Sequence, residues 1–242
     1  MTIELERRAL VQTGVALAAG AAFAAAVPSA AAQTPTSTPR GAKPMTYSVK
    51  PLPFDPTKIN GLSEKILVSH YENNYGGAVK RLNAIAEQLA GFDYARAPGF
   101  LINGLKREEL IATNSMILHE LYFAGLGPEE SRPGPSLAEA LARDFGSPER
   151  WRAEFVAMGK AEGGGSGWVL LTWSPRDKHL VNAWAADHTT TLAGGQAILV
   201  LDMYEHAYHM DYGAKAGDYV DAFMQAIRWS NADSLYAQHS RG

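Results

Sequence analysis

The hydrophobic and polar positions of this chain divide it into a helical first part and a mixed second part. In residues 63–91 and 107–126 apolar side chains recur every three or four residues, which is the spacing of a helix with one buried side. Residues 96–103, which include Pro98 and Gly99, separate the two segments and indicate a loop. Two such helices joined by a short loop predict an antiparallel helical hairpin.

Beyond residue 127 short apolar runs appear between helical segments. Ser136 and Glu139 have the spacing of an N-terminal capping box, and Gly163–Gly167 predicts a plain connecting turn. Helical spacing recurs in three segments, 136–145, 148–160 and 218–229. Apolar runs predict three strands, 168–173, 179–184 and 197–201. The predicted fold class is therefore α+β, with an N-terminal antiparallel helical hairpin followed by a C-terminal α/β lobe that contains a three-stranded antiparallel sheet.

The first 45 residues have the composition of an export signal and a linker. Arg7 and Arg8 precede an apolar, alanine-rich stretch, so residues 1–32 predict a signal peptide of the twin-arginine type. An uncleaved membrane anchor is the alternative. Residues 33–45, rich in Thr, Pro and Ser, predict a flexible linker. We therefore expect an exported protein, periplasmic or secreted, that meets the membrane only through its export signal.

The rest of the chain is predicted to form two domains, a helical hairpin at 46–127 and an α+β domain at 128–242. The net charge of −3 makes nucleic acid an unexpected partner. The absence of cysteine excludes disulfides, thiolate metal sites and a cysteine nucleophile. Any metal must therefore be held by nitrogen and oxygen ligands.

Four side chains form a candidate metal site. Asp202 and His206 are four residues apart and follow the apolar run 197–201, and a helical turn would point both side chains the same way. His70 and His119 lie on the apolar sides of the two long helices, which are expected to face each other. Each of these residues taken alone is more often a packed or capping side chain than a ligand. Three imidazoles and one carboxylate together suit iron, manganese or zinc.

The residues around this set resemble the iron/manganese superoxide dismutase family. Residues 202–208, Asp-Met-Tyr-Glu-His-Ala-Tyr, resemble the D-x-W-E-H-A-Y signature of that family, with Tyr204 in place of the tryptophan. Residues 165–168 match its G-S-G-W, and the Leu82-Asn83 pair keeps its spacing from the first histidine. The resemblance extends from about residue 47 to residue 229.

The resemblance implies a dismutase that converts superoxide to dioxygen and hydrogen peroxide. His70, His119, Asp202 and His206 would bind one iron or manganese ion per subunit, which would cycle between the +3 and +2 states. Val200 replaces the Gly or Thr common in the family, and this difference favours iron. The family also implies a homodimer formed through the region of Glu205 and His206, because Glu205 would bridge to a ligand of the second subunit.

Three further residues are predicted to be catalytic: His188, Tyr75 and Trp168. In the family a glutamine hydrogen-bonds the solvent at the metal. The position used by iron-type members is Ser115 here, and the position used by manganese-type members is His188. Tyr75 is expected to fill part of the active-site gateway, and Trp168 belongs to the G-S-G-W match.

Four positions depart from the family. The gateway tyrosine is Ala78, the gateway histidine is Asn74, the tyrosine that reaches across the dimer is His209, and the arginine of the substrate funnel is Ala216. These departures leave open an alternative, a periplasmic iron- or manganese-binding member of the family with weak or altered dismutase activity. A zinc hydrolase is a third reading, which is disfavoured because no general base stands beside the site.

Overall fold

A computed structural model describes residues 43–128, 131–162 and 165–241. The described residues form one compact unit. The predicted signal peptide and the predicted linker up to residue 42 lie outside the described residues. The signal peptide, the linker and the twin-arginine route therefore stay predictions. The predicted domain boundary between residues 127 and 128 also stays a prediction.

The first part of the chain is the predicted helical hairpin. Its first arm is α1 (Glu64–Ser69), a π-helical segment (His70–Tyr75) and α2 (Gly76–Ala90), and its second arm is α3 (Gly99–Ala124). The second arm begins eight residues earlier than predicted, so the loop is shorter than expected. The reason is that Pro98 caps the helix, and its carbonyl accepts the N–H of Leu101.

The π-helical segment widens the first arm at the position of a candidate ligand. The N–H of Gly76 donates to the carbonyl of Tyr71, five residues back, where an α-helix would use a residue four back. The wider turn lets both His70 and Tyr75 be buried although they are five residues apart. Such segments are frequent at functional sites, and apolar periodicity gives no signal of them.

The second part is the predicted α+β arrangement. Its elements are α4 (Pro135–Phe145), α5 (Pro148–Ala161), β1 (Trp168–Ser174), β2 (His179–Ala185), β3 (Gln196–Asp202), α6 (His209–Tyr212), α7 (Ala216–Gln225) and α8 (Trp229–His239). The three strands form one antiparallel sheet in the order β2-β1-β3. The central strand β1 is buried along its whole length. The fold class predicted from the sequence is confirmed.

Two local predictions in this part are wrong. The cap of α4 is Gly134, whose N–H donates to the carboxylate of Asp233, so Ser136 forms no capping box. The last helix, predicted at 218–229, is α7 and ends at Gln225, and a further helix, α8, follows it; the backbone between the two pairs with the end of the hairpin. There the N–H of Arg228 donates to the carbonyl of Gly125 at 2.7 Å.

The hydrophobic core joins the hairpin to the sheet. It is built from buried side chains of both arms, of the helices and of the central and outer strands, among them Leu82, Tyr122, Phe155, Leu171, Val200 and Phe223. Because the inner faces of α2 and α3 and the sheet share this core, a residue on the hairpin can approach the end of β3. Within the described ranges, no helix combines the length and hydropathy that crossing a membrane requires.

Candidate metal centre

Asp202 is the last residue of β3. The D-x-x-x-H spacing had instead suggested a helical turn from Asp202 to His206. The position of Asp202 is fixed by the sheet, because this residue is the register partner of Trp168. A 3-10 turn, Glu205–Ala207, follows and returns the chain toward the strand. The backbone N–H of Tyr204 donates to Oδ1 of Asp202 at 2.9 Å, while Nε2 of His206 lies 3.2 Å from Oδ2. The turn thus replaces the helix in bringing the two side chains together.

The two hairpin histidines reach the same carboxylate oxygen. Nε2 of His70 lies 3.1 Å from Oδ2 of Asp202, and Nε2 of His119 lies 3.6 Å from it. One donor atom from each of His70, His119, Asp202 and His206 lies within 4.8 Å of the others. The structure therefore brings together all four ligands predicted from the sequence.

The burial and hydrogen bonding of this cluster fit a bound metal ion. The side chains of His70 and His119 are 1% exposed and that of Asp202 is 0% exposed, whereas His206 is 24% exposed. Among the residues that the structure describes, no hydrogen bond satisfies Nε2 of His70 or Nε2 of His119. Buried polar atoms without partners are rare in folded proteins, and a cation between these nitrogens would supply the missing partner.

Hydrogen bonding sets the tautomer of one ligand. Nδ1 of His119 lies 2.6 Å from the backbone carbonyl of Ser115, which can only accept. The ring proton is therefore on Nδ1, and Nε2 presents its lone pair to the cluster. This arrangement is usual for histidines that bind metals, because the outer hydrogen bond also fixes the plane of the ring.

Electrostatics keeps the donor atoms in their metal-binding forms. Burial lowers the pKa of His70, and burial together with the nearby His70 lowers the pKa of His119 to about 3. Burial alone would raise the pKa of Asp202, but the nearby His206 and His70 outweigh this effect and hold the pKa well below its ordinary value. Near neutral pH the cluster thus offers a carboxylate and two neutral buried imidazoles, which suit iron or manganese.

Two buried tyrosines support the ligands from behind. The hydroxyl of Tyr219 on α7 donates to the backbone carbonyl of Asp202 at 2.8 Å and lies 3.3 Å from the hydroxyl of Tyr122. The ring of Tyr122 packs on His70, with 5.0 Å between ring centroids. Neither tyrosine was predicted from the sequence. The one available signal is that Tyr122 follows His119 by three residues, which is nearly one helical turn.

Trp168 and His188, both predicted to be catalytic, lie beside the ligands. The ring of Trp168 meets His119 edge-on, with 5.3 Å between ring centroids. Its Nε1–H donates to Nδ1 of His188 at 3.1 Å, so the proton of a neutral His188 is on Nε2. Asn114 of α3 donates to the backbone carbonyl of His188 and anchors the loop that carries it. The catalytic roles of Trp168 and His188 stay predictions.

Tyr75, the third predicted catalytic residue, has its hydroxyl occupied elsewhere. The hydroxyl donates to Oε1 of Glu120 at 3.0 Å and accepts the backbone N–H of Lys50 at 2.9 Å. Burial raises the pKa of Tyr75 to about 12, so the phenol stays protonated at neutral pH. Its ring packs on Phe123, which in turn packs on His70. These contacts connect the N-terminal segment to the hairpin, and a role in turnover stays a prediction.

The four positions that depart from the family differ in burial. Ala78 and Ala216 are buried methyl groups without a hydroxyl or a charge. Asn74 is half-buried on the π-helical segment, and His209 is exposed at the start of α6. An altered gateway at these positions stays a prediction.

One glycine of the G-S-G-W sequence is required by a close approach. A Cβ on Gly167, whose φ is +156°, would lie 2.7 Å from Oε2 of Glu162 and 2.8 Å from the carbonyl of Ala185. Gly167 is thus more than part of the plain connector that the sequence suggested. Glu162 is itself buried and makes no hydrogen bond to any described residue, and burial together with Asp202 raises its pKa to about 8.

The model of the C-terminal domain of iron/manganese superoxide dismutases matches residues 133–235. This range contains the three-stranded sheet and the loop that carries His188. It also contains Asp202 and His206.

Relatives extend the similarity over the hairpin. The chain is 68% identical over 193 residues to the iron superoxide dismutase of Cupriavidus metallidurans, a match that covers 80% of this chain and 98% of that protein. It is 35% identical over 197 residues to manganese superoxide dismutase 2 of Haloferax volcanii, covering 80% of this chain and 97% of that protein. It is 28% identical over 192 residues to the iron superoxide dismutase of Pyrobaculum aerophilum, covering 77% and 90%.

These matches span nearly the whole length of the relatives, and the four side chains predicted to be ligands each place a donor atom within 4.8 Å of the others. The chain belongs to the iron/manganese superoxide dismutase family.

Proposed function

We propose that this chain is a superoxide dismutase whose metal is held by His70, His119, Asp202 and His206. The observation that carries the proposal is the approach of three imidazole Nε2 atoms to one carboxylate oxygen, at 3.1, 3.6 and 3.2 Å, in an interior where two of those nitrogens have no other partner. Membership of the family supports the reaction, in which two superoxide ions and two protons give one dioxygen and one hydrogen peroxide.

We propose iron as the native metal, with manganese as the other metal that the ligands accept. The 68% identity to a protein named an iron superoxide dismutase supports this preference, since the identity to the manganese superoxide dismutase 2 of Haloferax volcanii is 35%. When bound, such a metal supplies one-electron chemistry, taking an electron from one superoxide and giving it to another. Because the ligand set suits both metals, groups beyond the ligands decide between them.

The chain contributes position, charge and protons to this reaction. Asp202 offsets part of the charge of the bound cation, and its Oδ1 is held by the N–H of Tyr204 so that Oδ2 faces the histidines. His188 keeps a proton on Nε2, because Trp168 occupies Nδ1. That N–H is the candidate hydrogen-bond donor to oxygen species at the site, at the position where the family resemblance implies a glutamine in manganese-type members. The peroxide product needs two protons, so a fixed donor beside the ligands has a direct use.

Weak or altered dismutase activity is the second candidate function. The observation in its favour is the gateway, where Ala78 and Ala216 bring no hydroxyl and no positive charge. A missing cation lowers the electrostatic attraction of an anion such as superoxide, and a missing hydroxyl removes one path for protons. On this reading the metal binds as proposed, but turnover is slower than in family members with the complete gateway.

Metal analysis and a dismutation assay on one preparation test both candidates. We expect close to one iron or manganese ion per chain and removal of superoxide in proportion to that metal. His206→Ala should lose both metal and activity while the circular dichroism spectrum is kept, and His239→Ala on α8 is the matched control. Bound metal without superoxide removal would leave the binding function and refute the dismutase. Zinc as the sole native metal would refute both.

We propose that the protein is a homodimer formed through the surface around Glu205 and His206. Glu205, His209 and Met210 are exposed next to the one ligand that is not buried, so a second subunit on this surface would complete the enclosure of the site. Light scattering should give about twice the mass of one chain, and Glu205→Ala should shift it toward the monomer with loss of activity. A wild-type protein that is monomeric and fully active would contradict the dimer.

We propose export through the twin-arginine route, after which the mature protein acts outside the cytoplasm. The proposal rests on Arg7-Arg8 and the apolar, alanine-rich stretch that follows them. The full chain should be recovered from the periplasm or medium, with a shorter N-terminus by mass spectrometry. The double variant Arg7→Lys, Arg8→Lys should remain in the cytoplasm, whereas Arg40→Lys should be exported normally. Cytoplasmic recovery of the unmodified full-length chain would refute export.

A further inference from the structure

Tyr204 stacks between a ligand of the proposed metal site and the proposed hydrogen-bond donor. Its ring lies 4.7 Å from the ring of His188 at an interplanar angle of 15°, and 5.3 Å from the ring of His206 at 17°. The three rings are therefore nearly parallel, with the tyrosine in the middle. Trp168 closes the side of the stack, with its ring centroid 5.9 Å from that of Tyr204.

The position of Tyr204 is fixed by groups outside the stack. Its backbone N–H donates to Oδ1 of Asp202, and Asp202 is held in turn by the sheet register with Trp168. Its side chain is half-buried. The ring thus has little freedom to turn, and a ring that cannot turn constrains the two imidazoles that lie flat against it.

The two imidazoles need such a constraint for different reasons. His206 is the one partly exposed member of the ligand cluster, and its Nε2 is the only ligand atom that comes from the turn after β3. His188 lies on the loop between β2 and β3 and is held by Trp168 and Asn114. In the described part of the chain, His188 lies outside any helix or strand, and His206 lies on a 3-10 turn of only three residues.

We infer that Tyr204 is a positioning residue that aligns His206 and His188 with each other through this stack. The inference rests on the proposed function, because it concerns the same metal site. The plane of a ligand ring and the direction of a nearby hydrogen-bond donor both affect metal affinity and reduction potential. The flat ring carries the effect, so another flat ring at position 204 preserves it and a small side chain abolishes it.

The test uses the full chain with three substitutions at this position and one elsewhere. Tyr204→Phe keeps the ring and removes the hydroxyl, Tyr204→Trp keeps a flat ring of larger area, and Tyr204→Ala removes the stack. Tyr94→Ala is the matched control, since Tyr94 is 52% exposed. Mn²⁺ and Fe²⁺ affinities of the metal-free proteins are measured by competition with a chelator, and the midpoint potential of each iron-loaded protein by redox titration.

We expect Tyr204→Ala to weaken metal affinity by roughly 10- to 100-fold, the usual effect of losing a group that orients a ligand, and to shift the midpoint potential. Tyr204→Phe and Tyr204→Trp should restore most of both properties, and Tyr94→Ala should change neither. If Tyr204→Ala does not fold, Tyr204→Leu takes its place, since leucine fills most of the volume without a flat ring.

Two results would overturn the inference. In the first, Tyr204→Ala lowers only the free energy of unfolding and leaves metal affinity and midpoint potential at wild-type values, which would make the tyrosine simple packing. In the second, Tyr204→Phe is as defective as Tyr204→Ala, which would assign the effect to the hydroxyl. Failure of the proposed function is seen separately, as a wild-type protein that binds metal with the expected affinity but removes no superoxide.

Discussion

Trp168 fixes the tautomer of His188. The indole Nε1–H can only donate, and it lies 3.1 Å from Nδ1 of the imidazole, so Nδ1 accepts and Nε2 carries the proton. The same indole meets His119 edge-on at 5.3 Å. One buried side chain therefore controls both the packing of a proposed ligand and the direction of a proposed proton donor.

Trp168→Phe is expected to lower dismutase activity by roughly 10- to 100-fold with the metal still bound, because the aromatic packing remains while His188 loses its partner. The measurement is superoxide removal per bound metal ion. Trp184→Phe is the matched control, since Trp184 is 65% exposed on β2. Equal activities for the two variants would show that the hydrogen bond does not matter for turnover.

Asp202→Asn is expected to reduce affinity for Mn²⁺ and Fe²⁺ by more than about 100-fold, a larger effect than the loss of a group that only orients a ligand. The substitution keeps the shape but removes the negative charge to which three imidazoles are directed. Chelator competition on the metal-free protein gives the affinity. Asp221→Asn, which breaks only the exposed ion pair with Lys160, is the control. Unchanged affinity in Asp202→Asn would remove this residue from the ligand set.

Tyr219→Phe is expected to lower the free energy of unfolding by about 1–3 kcal/mol, because the buried carbonyl of Asp202 loses its donor. Urea unfolding of the metal-free protein measures this loss. Tyr94→Phe, at an exposed position, should leave the midpoint unchanged. A Tyr219→Phe protein as stable as the wild type would mean that water replaces the hydroxyl.

Tyr75→Phe is expected to act on stability more than on turnover. The hydroxyl connects Lys50 to Glu120, so its loss should lower the free energy of unfolding by about 1 kcal/mol while kcat/KM changes by less than about threefold. Unfolding and steady-state assays on one preparation separate the two effects. A large fall in kcat/KM at unchanged stability would instead support the catalytic role predicted from the sequence.

Glu162→Gln is expected to stabilise the metal-free protein at alkaline pH. The folded-state pKa of Glu162 is about 8, whereas its ordinary value is 4.5, so between these values the folded state holds a proton that the unfolded state has released. The stability of the wild type should therefore fall as the pH rises from about 4.5 to about 8 and stay low above it.

The variant should exceed the wild type by about 1–3 kcal/mol at pH 9, the cost of an unsatisfied buried carboxylate, and should equal it at pH 4. Urea unfolding at the two pH values measures the difference. Glu87→Gln, on the exposed face of α2, is the control and should follow the wild type at both. A variant whose stability has the same pH dependence as the wild type would contradict the buried, protonated state of Glu162.

The sequence by itself determined the kind of fold and the kind of metal site. Apolar spacing identified the hairpin arms and the three strands, because a side chain that faces a core must recur with the period of its own element. The missing cysteines limited the ligands to nitrogen and oxygen, and the motif around Glu205 identified the family. The four ligand residues could be chosen because their types and positions are local properties of the chain.

Only the tertiary structure decided how those side chains act. The strand register and the turn after Asp202 brought His206 back to the carboxylate, where the sequence had suggested a helix. Tyr75 hydrogen-bonds to Glu120, which is 45 residues away in the sequence, and His188 hydrogen-bonds to Trp168, which is 20 residues away. Spacing within one element cannot reveal such contacts, because side-chain directions and buried charges depend on which distant elements pack together.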